Sequence, residues 1–451
     1  MARRPWHRLG AWVATAAVGL LTPVAVAMVT VPRAAGGIYT PPPQHQPAVP
    51  AETTKPAYDP GKPTVAIVLA MEGANAADVL APFEVLAETD GFNVYTVAET
   101  RRLVPLTGGL DIVPDLSFAQ LDKLRPSGPD VIVIPQLQGP STEGSGPVVT
   151  WLKHQRALGE PLLVSVCVGA KVLAASGLLD GRPATSNWLG LIGLRRDFPA
   201  VQWHDDVRYV DDGDVITTGT VLSGIDGALR IIERTLGLAA AARAAEVAAW
   251  PRYSSDPRAT APRLAASDTV GLLSAAFRWD RPTMGVLLTD GVGEMELAAA
   301  FRPYTELSFL ARPVAVTRDG KPIRSRHHLT FVPRADLATA SPSLDRVVVP
   351  GADAARAAST AAPLPDGLVA TYLNDQPGFA FDGALRDIAK INDVATARWV
   401  AKSIQYTVPD PPLSGSSWPW ILMLRPLLLA AITITLVIVA WQLRSRRVAR
   451  T

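Results

Sequence analysis

The sequence predicts a doubly wound α/β domain with a parallel sheet, then a second, degenerate copy of it, with an apolar helix at each end. Three observations predict this architecture. β-branched apolar runs alternate with helical patterns between residues 63 and 238, and several of their motifs recur in the same order further along. Each end of the chain also carries an uncharged stretch of about 20 residues, long enough to cross a membrane.

The N-terminal apolar stretch is predicted to be a membrane anchor spanning residues 1–35. Residues 10–31 carry no charge and follow a basic start that contains Arg3, Arg4 and Arg8. The small-residue sequence AVA at 25–27 leaves a cleaved signal peptide as the alternative, but the run is longer than a usual signal core. A Pro-rich linker over 36–62 follows, which cannot build a core and favours an extended tether.

The C-terminal apolar stretch predicts a second membrane helix over 418–443, preceded by a short linker at 408–417. Tryptophans flank the apolar run and arginines fill the tail at 444–451, as is typical of a span whose basic end is cytoplasmic. Since both basic flanks lie at the ends of the chain, we expect a two-pass protein of the cell membrane. The central domains are then predicted to be extracytoplasmic.

Charge and cysteine content exclude several classes of partner. The formal net charge of 451 residues is +2, and no basic cluster outside the ends suggests nucleic-acid binding. The single cysteine, Cys167, excludes an internal disulfide, and no spacing of ligands indicates a metal site or another cofactor. His327 and His328 do not change this prediction, because adjacent residues of a strand face opposite ways.

Within the first folded region, 63–238, the strands are predicted at 64–73, 92–99, 130–136 and 161–166. Helical patterns at 81–89 and 149–158 lie between them, and residues 207–219 predict a hairpin that turns at an Asp-Gly pair. The fourth strand ends at Cys167, and a helical pattern follows at once. This order places the thiol at the carboxyl end of a parallel sheet.

A cysteine between a buried strand and a helix has a clear chemical interpretation. The unpaired amides of a helix start favour a thiolate, so the sequence predicts a lowered pKa for Cys167 and selective oxidation. Gly169 would allow the tight turn, as in the nucleophile elbow of hydrolases. The alternative is a small buried cysteine that only fills the core.

These residues resemble the DJ-1/PfpI family of the class I glutamine amidotransferase-like, flavodoxin-like fold. The resemblance extends over roughly residues 63–250 and is strongest to the domain fused to AraC-type (GlxA-like) regulators. The position of their DNA-binding module here holds the second, degenerate copy and a membrane span. The loop GANAADVLAPFEV at 73–85 and the stretch 209–233 match, as do several residues around the cysteine. These are Cys167, Gly169, Ala170, Leu173, Ala174, Gly177 to Arg182, Ala184, Thr185 and Trp188.

The resemblance implies a nucleophilic Cys167 with Asp78 as the catalytic acid or base, and Glu84 is the alternative base. It also implies a ligand pocket lined by Gly169, Val168, Asn187 and Glu84. The chain departs from the family pattern, since Val168 stands where hydrolytic relatives have Thr or His, Asn187 replaces the His of an H-W pair, and Ala81 replaces a Gly. His154 and His204 are the remaining histidines of the domain, and both are expected on the surface.

The second copy is predicted at 282–407, joined through a helical spacer at 239–281. Residues 283–301 align with 65–83 without a gap, so that Glu296 meets Asp78, and DGALRDIAK at 382–390 repeats DGALRIIER at 226–234. RVVVPG at 346–351 also matches the strand at 130–136, and the following stretch, 351–381, is about a third as long as its counterpart in the first unit. This predicts the loss of the Cys strand, the elbow helix and the hairpin. We expect the copy to cover its apolar surface on the first unit as an internal pseudo-dimer, with Glu296 or Arg302 near the Cys167 pocket. A homodimer is the alternative.

Three functions follow from these predictions. The first is a membrane-anchored sensing or binding module for a small molecule or a redox signal, built around Cys167. The second is a cysteine-dependent hydrolase, amidase or isonitrile-hydratase-like enzyme that uses Cys167 and Asp78. The third is a protein-interaction scaffold, which requires an inert thiol.

Overall fold

A computed structural model describes residues 5–43, 58–144, 146–250, 253–360, 362–365, 367–406 and 412–448. Much of the predicted linkers at 36–62 and 408–417 lies outside the described residues. We call residues 63–238 the first unit and residues 282–407 the second unit, after the boundaries predicted from the sequence. Each unit is built on a parallel sheet, because its apolar runs are short, β-branched and buried on both faces.

The first unit begins after helix α1 (Pro5–Gly36). Its strands are β1 (Thr64–Val68), β2 (Asn93–Ala98), β3 (Val104–Leu106), β4 (Leu110–Val113), β5 (Leu116–Ser117), β6 (Val131–Ile134), β7 (Leu162–Ser165), β8 (Pro183–Thr185), β9 (Gln202–His204), β10 (Tyr209–Asp211) and β11 (Val215–Thr218). Among the described residues, the main sheet has the order β10-β11-β7-β6-β1-β2-β5. The four predicted strands are therefore confirmed as its centre, and β10 and β11 form the predicted antiparallel hairpin.

Helices cover both faces of this sheet. They are α2 (Ala76–Ala87), α3 (Phe118–Leu124), α4 (Pro147–Leu158), α5 (Ala170–Ala175), α6 (Leu191–Asp197) and α7 (Ser223–Leu236). α2 begins five residues before the predicted start, because the Asn75 side chain accepts hydrogen bonds from the first amides and caps it there. Pro82 consequently lies inside the helix rather than at its first turn.

The spacer forms α8 (Leu238–Val247) and α9 (Thr269–Phe277), and the second unit follows. Its strands are β12 (Thr283–Leu287), β13 (Arg312–Thr317), β14 (Ile323–Arg324), β15 (Thr330–Val332), β16 (Ala335–Asp336), β17 (Arg346–Val349) and β18 (Ala370–Tyr372). Its helices are α10 (Glu294–Thr305), α11 (Leu337–Ala340), α12 (Ala352–Arg356), α13 (Asp382–Ile391) and α14 (Val394–Ser403), and α15 (Trp420–Val448) comes last.

The second sheet repeats the neighbour order of the first. Its order is β16-β13-β12-β17-β18, so β18 takes the place beside β17 that β7 takes beside β6. The prediction that this strand is lost is therefore wrong, because residues 370–372 still supply a short strand in register with β17. Asn374 follows it closely, and its side-chain oxygen accepts the Gly351 amide at 3.0 Å.

The two units share one sheet and one core. β4 of the first unit pairs antiparallel with β15 of the second, and β3 and β14 extend this sheet on either side. One cluster of buried residues continues from α2 and α7 into α10 and α13, with Phe83, Leu229, Phe301 and Leu385 among its members. Burial of apolar area across this boundary holds the units together.

Among the residues that the structure describes, two helices are long and apolar enough to cross a membrane. These stretches are Trp12–Gly36 and Trp420–Arg444, with mean hydropathies of 2.0 and 2.4. They pack against each other where Gly19 faces the Ile434 side chain. Both also contact the spacer, because the Thr30 hydroxyl donates to the Ala276 carbonyl at 2.9 Å and Arg425 pairs with Asp280 at 2.6 Å.

Candidate functional site

Cys167 lies at the sharp turn between β7 and α5. A single 3₁₀ turn over Cys167–Gly169 joins the two, and Cys167 has a φ of +55°. This left-handed conformation is uncommon for a residue with a side chain, and such strain concentrates at functional sites. The predicted elbow is therefore present, with its sulfur at the carboxyl end of the sheet.

The elbow requires glycine at position 169 because there is no room for a side chain. The φ of Gly169 is −55°, which any residue adopts, but a Cβ built on it would meet the backbone carbonyls of Ile134 and Pro135. β6 ends at this point, and the elbow is tied to it by the Val166 amide, which donates to Ile134 O at 2.9 Å. Glycine lets the elbow lie directly against the end of β6.

The thiol is enclosed by two side-chain amides. Cys167 is 1% exposed, and its Sγ lies 3.6 Å from Gln136 Oε1. Asn187 Nδ2 donates to the sulfur at 3.3 Å, and the Ser186 hydroxyl donates to the Cys167 carbonyl at 2.7 Å. Asn187 therefore contacts the thiol directly, while Val168 is half-buried beside it.

Asp78 lies in the first turn of α2, and its carboxyl points toward the Cys167 thiol. One carboxyl oxygen accepts a hydrogen bond from the backbone N–H of Gln136 at 3.1 Å, and Asp78 is fully buried. Burial raises the pKa of Asp78 to about 7, although the Gln136 amide and the Cys167 thiol lower it. The carboxyl is therefore able to exchange a proton near neutral pH.

The pKa of the Cys167 thiol is shifted in the opposite direction to the prediction. Burial raises it well above its ordinary value, and the Asp78 carboxylate raises it further, while the Asn187 amide lowers it. The helix behind the elbow is short, since α5 has six residues, and its dipole is too weak to outweigh desolvation. In this structure the thiol is held protonated.

Parts of the chain outside the first unit complete the site. Gln136 Nε2 donates to Glu306 Oε1 at 2.9 Å and lies 3.4 Å from the Tyr39 hydroxyl. Asn75 Nδ2 donates to the other Glu306 oxygen at 2.6 Å, and Arg302 pairs with that carboxylate at 3.0 Å. Glu306 and Arg302 belong to the second unit, and Tyr39 directly follows α1.

We call residues 37–40 the strap, since they join α1 to both units. The Gly108 amide donates to the Ile38 carbonyl at 2.9 Å, and the Tyr39 ring packs against Gly73. Arg334 of the second unit donates to the Thr40 carbonyl at 2.7 Å. Through Gln136, the strap is one side chain away from the sulfur.

Several predicted residues lie elsewhere. The structure places Glu84 at the contact between the units, where it accepts the Met295 amide at 2.8 Å. Glu296 caps its own helix and accepts the Ala352 amide at 2.8 Å, so of the two second-unit candidates only Arg302 joins the Cys167 network. His154 and His204 are exposed, as predicted.

His327 and His328 are not on a strand but in the turn between β14 and β15, and His328 has a φ of +70°. His327 lies between Glu294 and Glu88, at 2.9 and 3.1 Å. Hydrogen bonding to Glu294 raises its pKa despite burial. In the described part of the chain, no group of three or more candidate ligands could hold a metal.

The sequence reasoning missed Gln136, Glu306 and Tyr39. Gln136 had a usable signal, because it closely follows β6, the strand next to β7, and the carboxyl ends of parallel strands meet at one edge. For Glu306 and Tyr39 the sequence carried no signal that would have placed them at the site. Their positions depend on how the second unit and the strap pack on the first unit.

The first unit is similar to proteins of a known family. The DJ-1/PfpI family profile matches residues 63–234. An isonitrile hydratase from Pseudomonas putida is 32% identical over 196 residues, which cover 41% of this chain and 79% of the relative. Protein dj-1beta from Drosophila melanogaster is 31% identical over 170 residues, which cover 37% of this chain and 83% of the relative.

Among solved structures, an AraC family transcriptional regulator from Pseudomonas putida matches with a TM-score of 0.34 and 20% identity. The match covers 41% of this chain and 98% of that one. The residues matched by the family profile include the elbow, the Asp78 helix and the main parallel sheet. The chain belongs to the DJ-1/PfpI family.

Proposed function

We propose that the protein is a membrane-anchored thiol sensor whose buried Cys167 reacts only when its site opens. The observation that carries this proposal is the hydrogen-bonded path from Cys167 through Gln136 to Glu306 and Tyr39. This path connects the sulfur to the second unit and to the strap behind the apolar helix α1. A shift of either part therefore changes the surroundings of the thiol.

The chemical basis is the difference between a buried and a hydrated thiol. The thiolate is the reactive form, and burial beside Asp78 raises the pKa of Cys167 in the closed site. Entry of water would remove much of this desolvation and favour the thiolate. Opening therefore converts an inert thiol into one that an oxidant or an electrophilic small molecule modifies.

A second candidate is an enzyme of the isonitrile-hydratase type. The 32% identity to such a relative and the Asp78 pKa of about 7 favour it, since a general base works best near the operating pH. In this function the Cys167 sulfur bonds to the isonitrile carbon, and Asp78 passes the thiol proton to that carbon. Water then adds to the same carbon, the carbon–sulfur bond breaks, and Asp78 transfers a proton from the water to the departing thiolate, which leaves a formamide and the free thiol. The scaffold function would require a thiol that never reacts.

We further propose that the two units form an internal pseudo-dimer. Ile112 and Phe331, which align between the units, are direct partners in the antiparallel pair of β4 and β15. Such self-pairing of equivalent residues is what a two-fold interface produces. The second unit would then stand where a second copy stands in a symmetric dimer, and it supplies Glu306 and Arg302 to the Cys167 site.

We place both units on the extracytoplasmic side of the cell membrane. α1 and α15 contact the spacer at Thr30 and Arg425, near the ends of the helices that adjoin the folded part, which suits two spans leaving the same face. Basic residues flank the opposite ends. Reporter fusions after residue 60 and after residue 445 are expected to report opposite compartments, and equal signals would contradict this topology.

The sensor proposal predicts slow alkylation of Cys167 that accelerates when the strap is weakened. Tyr39→Ala in the full chain is expected to raise the iodoacetamide rate at pH 7.5 at least about tenfold, the effect of one pKa unit on the thiolate fraction. Asp78→Asn removes a negative charge that raises the pKa of Cys167. In this variant the alkylation rate of Cys167 is therefore expected to rise at a lower pH than in the wild type. Mass spectrometry of the peptide that carries Cys167 measures both rates.

Tyr58→Ala is the matched control, because Tyr58 bonds Arg125 and lies outside the Cys167 network. It is expected to leave the rate unchanged. An unchanged rate in Tyr39→Ala, with full alkylation of the denatured chain, would contradict the gated sensor. Hydration of an isonitrile that disappears in both Cys167→Ser and Asp78→Asn would establish the enzyme instead.

A further inference from the structure

We infer that the chain has a second ligand site, a cationic cavity that binds a small anion between the two units. The cavity has a volume of about 600 Å³ and lies where the first unit, the spacer and α14 meet. Its walls carry four cationic side chains and no acidic one: Arg208, Arg258, Arg398 and Lys402. Thr260, Gln405 and Tyr406 add polar groups.

Three of the cations pair with aspartates that do not line the cavity. Arg208 pairs with Asp226, Arg258 with Asp256 and Lys402 with Asp268, at 2.5, 2.6 and 2.5 Å. An arginine has five N–H donors and a lysine three, so neither the carboxylate that pairs with each arginine nor the Asp268 carboxylate and the Arg263 carbonyl that bind Lys402 use all of them. These pairs orient the side chains and leave donors for a ligand.

Arg398 gives the cavity its unbalanced charge. It lies exposed on α14 and forms no ion pair with the residues that the structure describes. Since the other three cations are neutralised by their aspartates, the wall carries a net positive charge. A planar guanidinium matches a carboxylate or a phosphate in two parallel hydrogen bonds.

Volume and chemistry together define the ligand class. Cavities of roughly 300–1,000 Å³ hold small organic molecules. The cationic lining selects an anion, and its spread over three parts of the chain favours a molecule with two or more carboxylate or phosphate groups. We therefore assign the cavity to a small, soluble polyvalent anion.

The cavity is connected to both the inter-unit contact and the thiol. Gln405 accepts the Thr220 amide at 2.8 Å and the Ser223 hydroxyl at 3.1 Å, at the start of α7. The Lys402 ammonium lies 5.6 Å from the centre of the Trp188 ring, next to Asn187, which bonds Cys167. An anion that attracts Lys402 would weaken this cation–π contact, and its effect on the thiol rests on the proposed function.

Calorimetry on the full chain in nanodiscs of zwitterionic lipid tests the site, with citrate and inorganic phosphate as probes at constant ionic strength. Saturable binding is expected for at least one probe. Arg398→Ala is expected to weaken it at least about tenfold, since a hydrogen bond to a charged group contributes that much. Arg196→Ala, which removes an exposed arginine on α6, is the control and is expected to bind as the wild type does.

Absence of saturable binding for both probes, or equal affinity in Arg398→Ala and the wild type, would overturn the site. Competition from phosphatidylglycerol added to the nanodiscs would overturn the assignment to a soluble anion and indicate a lipid headgroup. Cys167→Ser is expected to bind with unchanged affinity, so the site stands even if the thiol proposal fails. A changed alkylation rate of Cys167 with bound anion, in the wild type, would show the coupling.

Discussion

Replacing Gly169 with alanine is expected to prevent stable folding of the first unit. The new Cβ would lie 2.8 Å from the Pro135 carbonyl oxygen and closer still to that of Ile134. Both are backbone atoms at the end of a central strand, so neither can move without displacing β6. We expect a loss of at least about 3 kcal/mol in the free energy of unfolding, the upper range of overpacking effects. Urea unfolding followed by circular dichroism measures it.

Gly193→Ala is the matched control for this experiment. Gly193 lies within α6, and an added Cβ there meets no atom within 4 Å. Alanine has the higher helix propensity, so this variant is expected to be as stable as the wild type or slightly more stable. A Gly169→Ala chain with wild-type stability would show that the elbow does not lie against β6 as the structure has it.

The sequence predicts the elbow well because the elbow is local. The buried strand, the cysteine that ends it and the glycine two residues later are consecutive, and each constrains its neighbour. Asp78 is also predictable, because its helix follows β1 and opens at the same edge of the sheet. Motif resemblance adds Asn187, which does contact the sulfur, but it also adds Glu84, which does not, and it omits Gln136.

The protonation state of Cys167 could not be predicted in the same way. A helix start favours a thiolate, but the outcome depends on how much water reaches the sulfur. Here Gln136 and Asn187 fill the space on two sides, and Glu306 and Tyr39 close the side of Gln136 that faces away from the thiol. These contacts join segments up to 170 residues apart, so no local pattern contains them.

The sequence also predicts the second unit only in part. Its repeat with the first unit was visible in residues 283–301, and the prediction of a shortened copy rested on chain length. Residues 370–372 of the short stretch nevertheless form β18, a three-residue strand that pairs with β17. Length alone does not reveal which part of a shortened segment is removed, because a strand needs fewer residues than the helix and hairpin around it.

Arg334→Ala is expected to destabilise both units together. Arg334 binds both carboxylate oxygens of Asp111 across the unit boundary, at 2.8 and 2.9 Å, and Asp111 is fully buried. Removing the guanidinium leaves this buried charge without its cation, which costs about 3–5 kcal/mol in the free energy of unfolding. It also removes the bond to Thr40 that holds the strap. Urea unfolding and the alkylation rate of Cys167 measure the two effects.

A double-mutant cycle with Asp111→Asn separates the pair from its surroundings. The double variant is expected to be more stable than Arg334→Ala alone, since the neutral amide has no buried charge to compensate. Arg356→Ala is the control, because Arg356 and Asp353 form an exposed pair that contributes at most about 1 kcal/mol. If Arg334→Ala lowered the stability of the second unit alone, in a separate transition, the units would be independent domains and the shared core would not couple them. A single shifted transition, with faster alkylation of Cys167, is the result that a common fold and a strap held by Arg334 require.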